Sequence, residues 1–183
     1  IPRKDLNDST ELHGGLSELG RETIREMNRH GVLVDVSHTA KSTMMQASEL
    51  STTPVFASHS CVRSLCDHPR NLDDEQLDRL KETDGLIQIN AMGSFLRKGG
   101  GGTVEDLARH VAYVAERVGV RHVGVSSDFD GGGGIPGWQD ATETPAVTQA
   151  LLKAGFSPEE LTAIWGGNML RLMEKAEQAS ISA

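Results

Sequence analysis

The sequence has little cysteine, no long apolar run and no excess of positive charge. Its two cysteines, Cys61 and Cys66, lie in one short segment. Their spacing suits neither a disulfide nor a zinc-binding Cys-x-x-Cys pair, so two unpaired thiols are expected, the cysteine usage of a reducing compartment. No apolar run reaches the roughly 18 residues a membrane span needs. Neither a signal peptide nor a hydrophobic C-terminal tail for a lipid anchor is visible, and together these absences favour a cytoplasmic location. The chain opens at Ile1 rather than at a Met, which leaves room for upstream sequence and any targeting signal carried there. With 18 Lys and Arg against 26 Asp and Glu, the formal net charge is -8. Phosphate binding needs a basic surface, so nucleic acid is excluded as a partner. There is no acidic tail, internal repeat or linker between domains.

What is present reads as a globular chain: 183 residues, 37% hydrophobic and 24% charged. That suffices for one domain but is short of the about 250 residues of a (β/α)8 barrel. Short apolar runs at 32–38, 55–60, 86–91 and 122–131 read as buried strands. Between and after them, helices are expected at 17–30, 42–50, 73–83, 104–119, 145–154 and 157–179. Thr39 or Ser42 is a candidate cap for the second helix, Asp73 and Asp74 open the third, and Thr103 caps the fourth. Leu107, Val111, Val114 and Val118 fall on one face of that fourth helix. Ser157-Pro158-Glu159-Glu160 is a helix start, its acids stabilising the first turn rather than serving chemistry. Glycines cluster at 99–102 and 131–134, and loops are expected over 93–102 and after the fourth strand. Strands alternating with amphipathic helices imply a parallel sheet, either a small doubly wound one or half of a barrel.

In such folds the functional side chains gather at the C-terminal ends of the strands. The first expected strand ends in Asp35 and His38, the second in His59, the third in Asn90 and the fourth in Asp128 and Asp130. One histidine there is unremarkable, but two on successive strands with a later Asp suit a divalent metal such as zinc. Three positions apart in a strand, Asp35 and His38 point to opposite faces, so Asp35 is expected to be structural, or a partner standing behind a ligand.

Four stretches make the sequence recognisable: GGLSELGRETIREMNRHGVLVDVSH (14–38), PVFASHSCVRSLCDHPRN (54–71), VGVSSDFDG (123–131) and GGNMLRLME (166–174). Together they resemble the membrane (renal) dipeptidase family of zinc metallopeptidases. The resemblance implies an α/β fold, the C-terminal half of a (β/α)8 TIM barrel of the metal-dependent amidohydrolase type. Residues 1–183 would then form a single partial barrel domain of about four βα units plus C-terminal helices. It further implies dipeptide hydrolysis by two divalent ions, expected to be zinc, sharing a bridging hydroxide. His38 and His59 match the two histidines of the second ion. Arg70 matches the arginine that holds the substrate's free carboxylate, and Asp128 matches the aspartate that moves protons beside the bridging water.

The family's His-x-Asp pair, bridging glutamate and carbonyl-polarising histidine have no counterpart in this chain. The missing N-terminal half of the barrel is therefore an expected partner, and the 183-residue chain alone is expected to be inactive. A homodimer is left open. Asn7 and Gly15 fall near other family positions in a looser match. Asp130 is expected to be structural, and Trp138 and Trp165 to be packing residues. His13, His30, His68, His110 and His122 sit in no matching motif. His30 and His110 are expected to be solvated, while His68, beside Arg70, is a weaker candidate for substrate contact. Two other readings stand beside the dipeptidase: a barrel deaminase or lactonase, against which the HPRN segment argues, and a non-catalytic relative.

Overall fold

The computed structural model describes residues 13–181, and Asn7 lies outside them. Helix α1 (Glu18–Arg29) is capped by the Ser17 side chain, which accepts from Gly20 N, and ends before Gly31, whose positive φ only glycine adopts freely. The chain continues through α2 (Lys41–Leu50), β1 (Phe56–Ser60), α3 (Asp74–Glu82), β2 (Leu86–Asn90), the one-turn α4 (Gly93–Leu96), α5 (Val104–Val118) and β3 (Val123–Ser126). It ends in α6 (Thr144–Lys153), α7 (Pro158–Thr162), a π turn (Ala163–Gly167) and α8 (Asn168–Ile181). The strands form a parallel sheet in the order β1-β2-β3, with α3 and α5 packed on β2, and α5 and α8 on β3. Leu107, Val111, Val114 and Val118, the expected apolar stripe of α5, are all buried in the core. Capping boxes at Asp73/Gln76, Thr103/Asp106 and Ser157/Glu160 start α3, α5 and α7.

Several sequence expectations are corrected. The run 32–38 is not a full strand. Val36 N donates to Phe56 O (2.8 Å) and Phe56 N to Val34 O (3.0 Å), but the pairing shrinks to a bridge at Asp35 and Phe56. The chain then turns away, with His38 in the left-handed region at φ 66°. β3 likewise stops at Ser126, and Asp128 sits in a left-handed turn at φ 54° rather than in a strand. The helix expected at 157–179 is interrupted by the π turn, and the expected loop at 93–102 contains α4. Neither expected residue caps α2: its cap is Ala40, without a side-chain bond, while Thr39 Oγ1 donates to Val36 O at 2.7 Å.

His110 is fully buried, not solvated. Its Nδ1 accepts from Val62 N at 3.0 Å and its Nε2 faces Leu96 O at 3.0 Å, so the ring joins the segment after β1 to the end of α4 as a neutral imidazole. Burial pushes its pKa down to about 4. His122 is also buried, its Nδ1 2.9 Å from Gly85 O, whereas His30 is exposed as expected. Cys61 and Cys66 are unpaired and buried.

Among the described residues, no helix is long and apolar enough to cross a membrane. At the N-terminal ends of the strands, Asp84 gathers Arg121, Arg171 and Lys175 beside a cleft of about 440 Å3. Those cations hold its carboxyl well below the usual range against an opposing cost of burial. That end of a parallel α/β fold carries stability rather than chemistry.

Candidate metal centre

At the opposite end, the strand termini bring two imidazoles together. The Nε2 atoms of His38 and His59 lie 2.7 Å apart, their ring centroids 4.8 Å apart and tilted by 54°. His38 has left-handed backbone, and its exposed ring reaches His59 from the edge of the sheet. His59 is aimed by an irregularity in β1, whose register against β2 shifts between Ala57 and Ser60. Such a bulge breaks strict alternation and re-aims side chains, a device common beside functional sites. Ser37 Oγ accepts from His59 N at 3.1 Å, tying the two histidine-bearing segments together.

Behind His59 lies a connected set of hydrogen bonds. Ser58 Oγ is 2.6 Å from His59 Nδ1 and 2.6 Å from Asp35 Oδ2. Asp35 Oδ1 also accepts from Ser37 N (2.9 Å) and Ser58 N (3.1 Å). Asp35 thus stands behind a candidate ligand rather than beside it, within the role expected for it. Periodicity could not have placed Ser58 here, because neighbouring residues of a regular strand face opposite ways.

Asp128 approaches the pair from β3. Its carbonyl accepts from Gly131 N (3.0 Å) and Gly133 N (2.7 Å), closing a tight turn. A Cβ on Gly131 would lie 2.0 Å from Asp128 Oδ1. The glycine cluster is therefore needed to let the backbone wrap the carboxylate. Asn90 Nδ2 donates to Asp128 Oδ2 at 3.1 Å. Asp130, expected to be structural, is exposed. Trp138 and Trp165 pack edge to face at 6.0 Å, and Trp138 also packs on Phe129 at 5.5 Å, supporting the segment that follows Asp128.

Arg70 is 8% exposed. It donates from one terminal nitrogen to His59 O at 3.1 Å, and its guanidinium carbon sits 5.4 Å from the centre of the Phe95 ring. His68 stacks on the same ring at 4.4 Å and accepts from Arg70 N at 3.2 Å. Its role in this geometry is to hold the arginine turn. Asn71 pins that turn with three bonds: it accepts from Cys61 N and donates to Cys66 O and Phe95 O. A cavity of about 100 Å3 opens between His38, Ser60 and Arg70.

The electrostatics favour neutral imidazole at His38. Burial first, then the Arg70 charge and His59, lower its pKa against the opposing pull of Asp128 and Asp35. Burial also lowers that of Arg70, while Asp128 and Asp35 oppose the shift. Neutral, converging Nε2 atoms are the donor chemistry that zinc-type ions take. The residues present therefore fit one side of a metal site. Among the described residues, no group of three or more His, Cys, Asp or Glu side chains completes it. Asn90, Ser58 and Asn71 were not singled out as site residues from sequence. Asn90 carried a signal in its place at a strand end, while the other two carried none.

The sequence matches the family model described as membrane dipeptidase (Peptidase family M19) over residues 2–183. It is 39% identical over 173 residues to Dipeptidase aclJ of Aspergillus oryzae, covering 93% of this chain and 41% of that protein. It superposes with a TM-score of 0.90 on the probable dipeptidase PvdM from Pseudomonas aeruginosa, at 28% identity, over 94% of this chain and 57% of that one. A metallo peptidase from Rhodobacter sphaeroides, liganded with a phosphinate mimic of the dipeptide L-Ala-D-Ala, matches with a TM-score of 0.83 and 32% identity, over 88% of this chain and 47% of that one. The chain thus spans about half the length of the relatives it matches.

Proposed function

The chain belongs to the membrane dipeptidase family, and on that premise we propose that the complete protein hydrolyses dipeptides at a centre of two divalent metal ions, with His38 and His59 as ligands to one of them. Its fold is the α/β, TIM-barrel amidohydrolase type of its structural neighbours. The observation that carries the proposal is the 2.7 Å approach of the two Nε2 atoms at the C-terminal ends of the strands. The ligand of the Rhodobacter structure supports dipeptides as the substrate class.

Bound divalent ions supply Lewis-acid polarisation of a peptide carbonyl and acidify water. Zinc is an ion that suits the imidazole pair. Asp128, held by Asn90 through one oxygen, takes the proton released as water attacks and returns it to the leaving amine. Arg70 offers a planar guanidinium to the free carboxylate of the substrate, which restricts activity to short peptides. The chain as it stands supplies two imidazoles of such a centre, and by itself it is inactive.

The test is an assay of the full-length protein on free dipeptides, C-amidated dipeptides, lactones and nucleobases, before and after chelation. Hydrolysis of free dipeptides that chelation removes and zinc restores is the expected result. Turnover of lactones or nucleobases alone would replace the reading with another barrel hydrolase. No turnover of any of them would favour a non-catalytic relative.

A further inference from the structure

Ser58 and Asp35 face away from the point where the two imidazoles converge, yet their bonds decide which nitrogen of His59 is free. Ser58 Oγ has one hydrogen and two neighbours at 2.6 Å, Asp35 Oδ2 and His59 Nδ1. A carboxylate offers no hydrogen, so the hydroxyl must donate to Asp35. The oxygen then has only lone pairs left for His59, and the hydrogen of that second bond must come from Nδ1. The proton of a neutral imidazole is thereby placed on Nδ1, and Nε2, the atom that meets His38, carries a lone pair. Asp35 is itself fixed, because its Oδ1 accepts from the amides of Ser37 and Ser58. The bulge in β1 makes the relay possible by bringing Ser58 to the Nδ1 edge of its own neighbour.

We infer that Asp35 and Ser58 are positioning residues for metal binding, a hydrogen-bond relay that locks His59 in the tautomer whose Nε2 is free to ligate. The inference rests on the reading of His59 as a ligand. It goes beyond that reading by assigning work to two side chains that touch neither substrate nor metal.

The polarity of the relay yields a signature that simple packing would not. In Asp35→Asn, the amide oxygen keeps the two backbone bonds and the NH2 faces Ser58 Oγ. The amide then donates to the hydroxyl, the hydroxyl donates to His59 Nδ1, and the proton moves to Nε2, where it blocks ligation. Ser58→Ala removes the relay without reversing it, and Ser58→Thr keeps the hydroxyl.

The experiment uses the full-length protein with 15N-labelled histidine. Ring-nitrogen shifts of the metal-free protein give the His59 tautomer, and competition with a chromophoric chelator gives zinc affinity. The wild type and Ser58→Thr should hold the Nδ1–H tautomer. Asp35→Asn should hold the Nε2–H tautomer and bind zinc about 100-fold more weakly, and Ser58→Ala about tenfold more weakly, the range found for partners behind metal-ligating histidines. An unchanged His59 tautomer in Asp35→Asn overturns the inference, as does zinc affinity within twofold of wild type in that variant. Ser58→Thr, with a thermal melt on each variant, separates loss of the relay from loss of the fold. If the wild type bound no zinc, the proposed function would fail, while the tautomer comparison would still decide the relay.

Discussion

Asn90 Nδ2 donates to Asp128 Oδ2 at 3.1 Å, joining the end of β2 to the turn that follows β3. Asn90 is fully buried and Asp128 half-buried, so the bond is protected from water on one side. It fixes one carboxylate oxygen of Asp128. Replacing Asn90 with Leu should lower kcat for dipeptides about tenfold or more while changing KM little, because proton transfer depends on placement. Steady-state kinetics on the full-length protein checks this. A change confined to KM would place Asp128 in substrate binding instead.

Gly131 gives an independent handle on the same carboxylate. Its φ is not positive, so alanine meets no backbone strain, but the added Cβ would sit 2.0 Å from Asp128 Oδ1. Gly131→Ala should therefore displace the carboxylate, lowering kcat by up to about 100-fold, while the thermal midpoint stays close to that of the wild type. Full activity in a folded Gly131→Ala protein would remove Asp128 from the chemistry.

Arg70→Lys keeps the charge and loses the planar fork. A hydrogen bond between charged groups contributes about 1.5–3 kcal/mol, so KM for a free dipeptide should rise about 10- to 100-fold. The C-amidated dipeptide, which has no carboxylate, should be affected much less. Equal loss on both substrates would show that Arg70 acts through packing on Phe95 and the His59 carbonyl rather than through the carboxylate.

His110 makes stability depend on pH. Its folded pKa is depressed to about 4 from an ordinary 6.5. Between those values the unfolded chain holds a proton that the folded chain does not, so stability is complete above about pH 6.5 and is lost as pH falls towards 4. The shift corresponds to about 3 kcal/mol at most. Urea midpoints of wild type and His110→Gln, compared from pH 7.5 to 5, should show a shallower pH slope in the variant. Parallel slopes would mean that other histidines carry the acid sensitivity.

Much of this protein was legible in its sequence. Alternation of apolar runs with amphipathic segments located the helices and the parallel sheet, since burial of a face imposes its period on the residues that form it. The candidate site residues His38, His59, Arg70 and Asp128 were visible because strand ends in such folds open onto one surface, and because the motifs carrying them resemble one family. Caps at Asp73, Thr103 and Ser157 were equally readable, being local bonds within four residues.

Only the tertiary structure decided the rest. That His38 and Asp128 adopt left-handed backbone, that β1 shifts register at Ser58 and His59, and that His110 joins the segment after β1 to the end of α4 all depend on neighbours distant in sequence. The expected opposition of Asp35 and His38 assumed a regular strand through both, but the chain leaves the sheet after Val36 and the alternation ends there. Sequence periodicity reports which face of an element is buried. It carries no record of where an element stops pairing, and that is settled by hydrogen bonds to residues as far away as Ser58 is from Asp35, or Asp128 from Asn90.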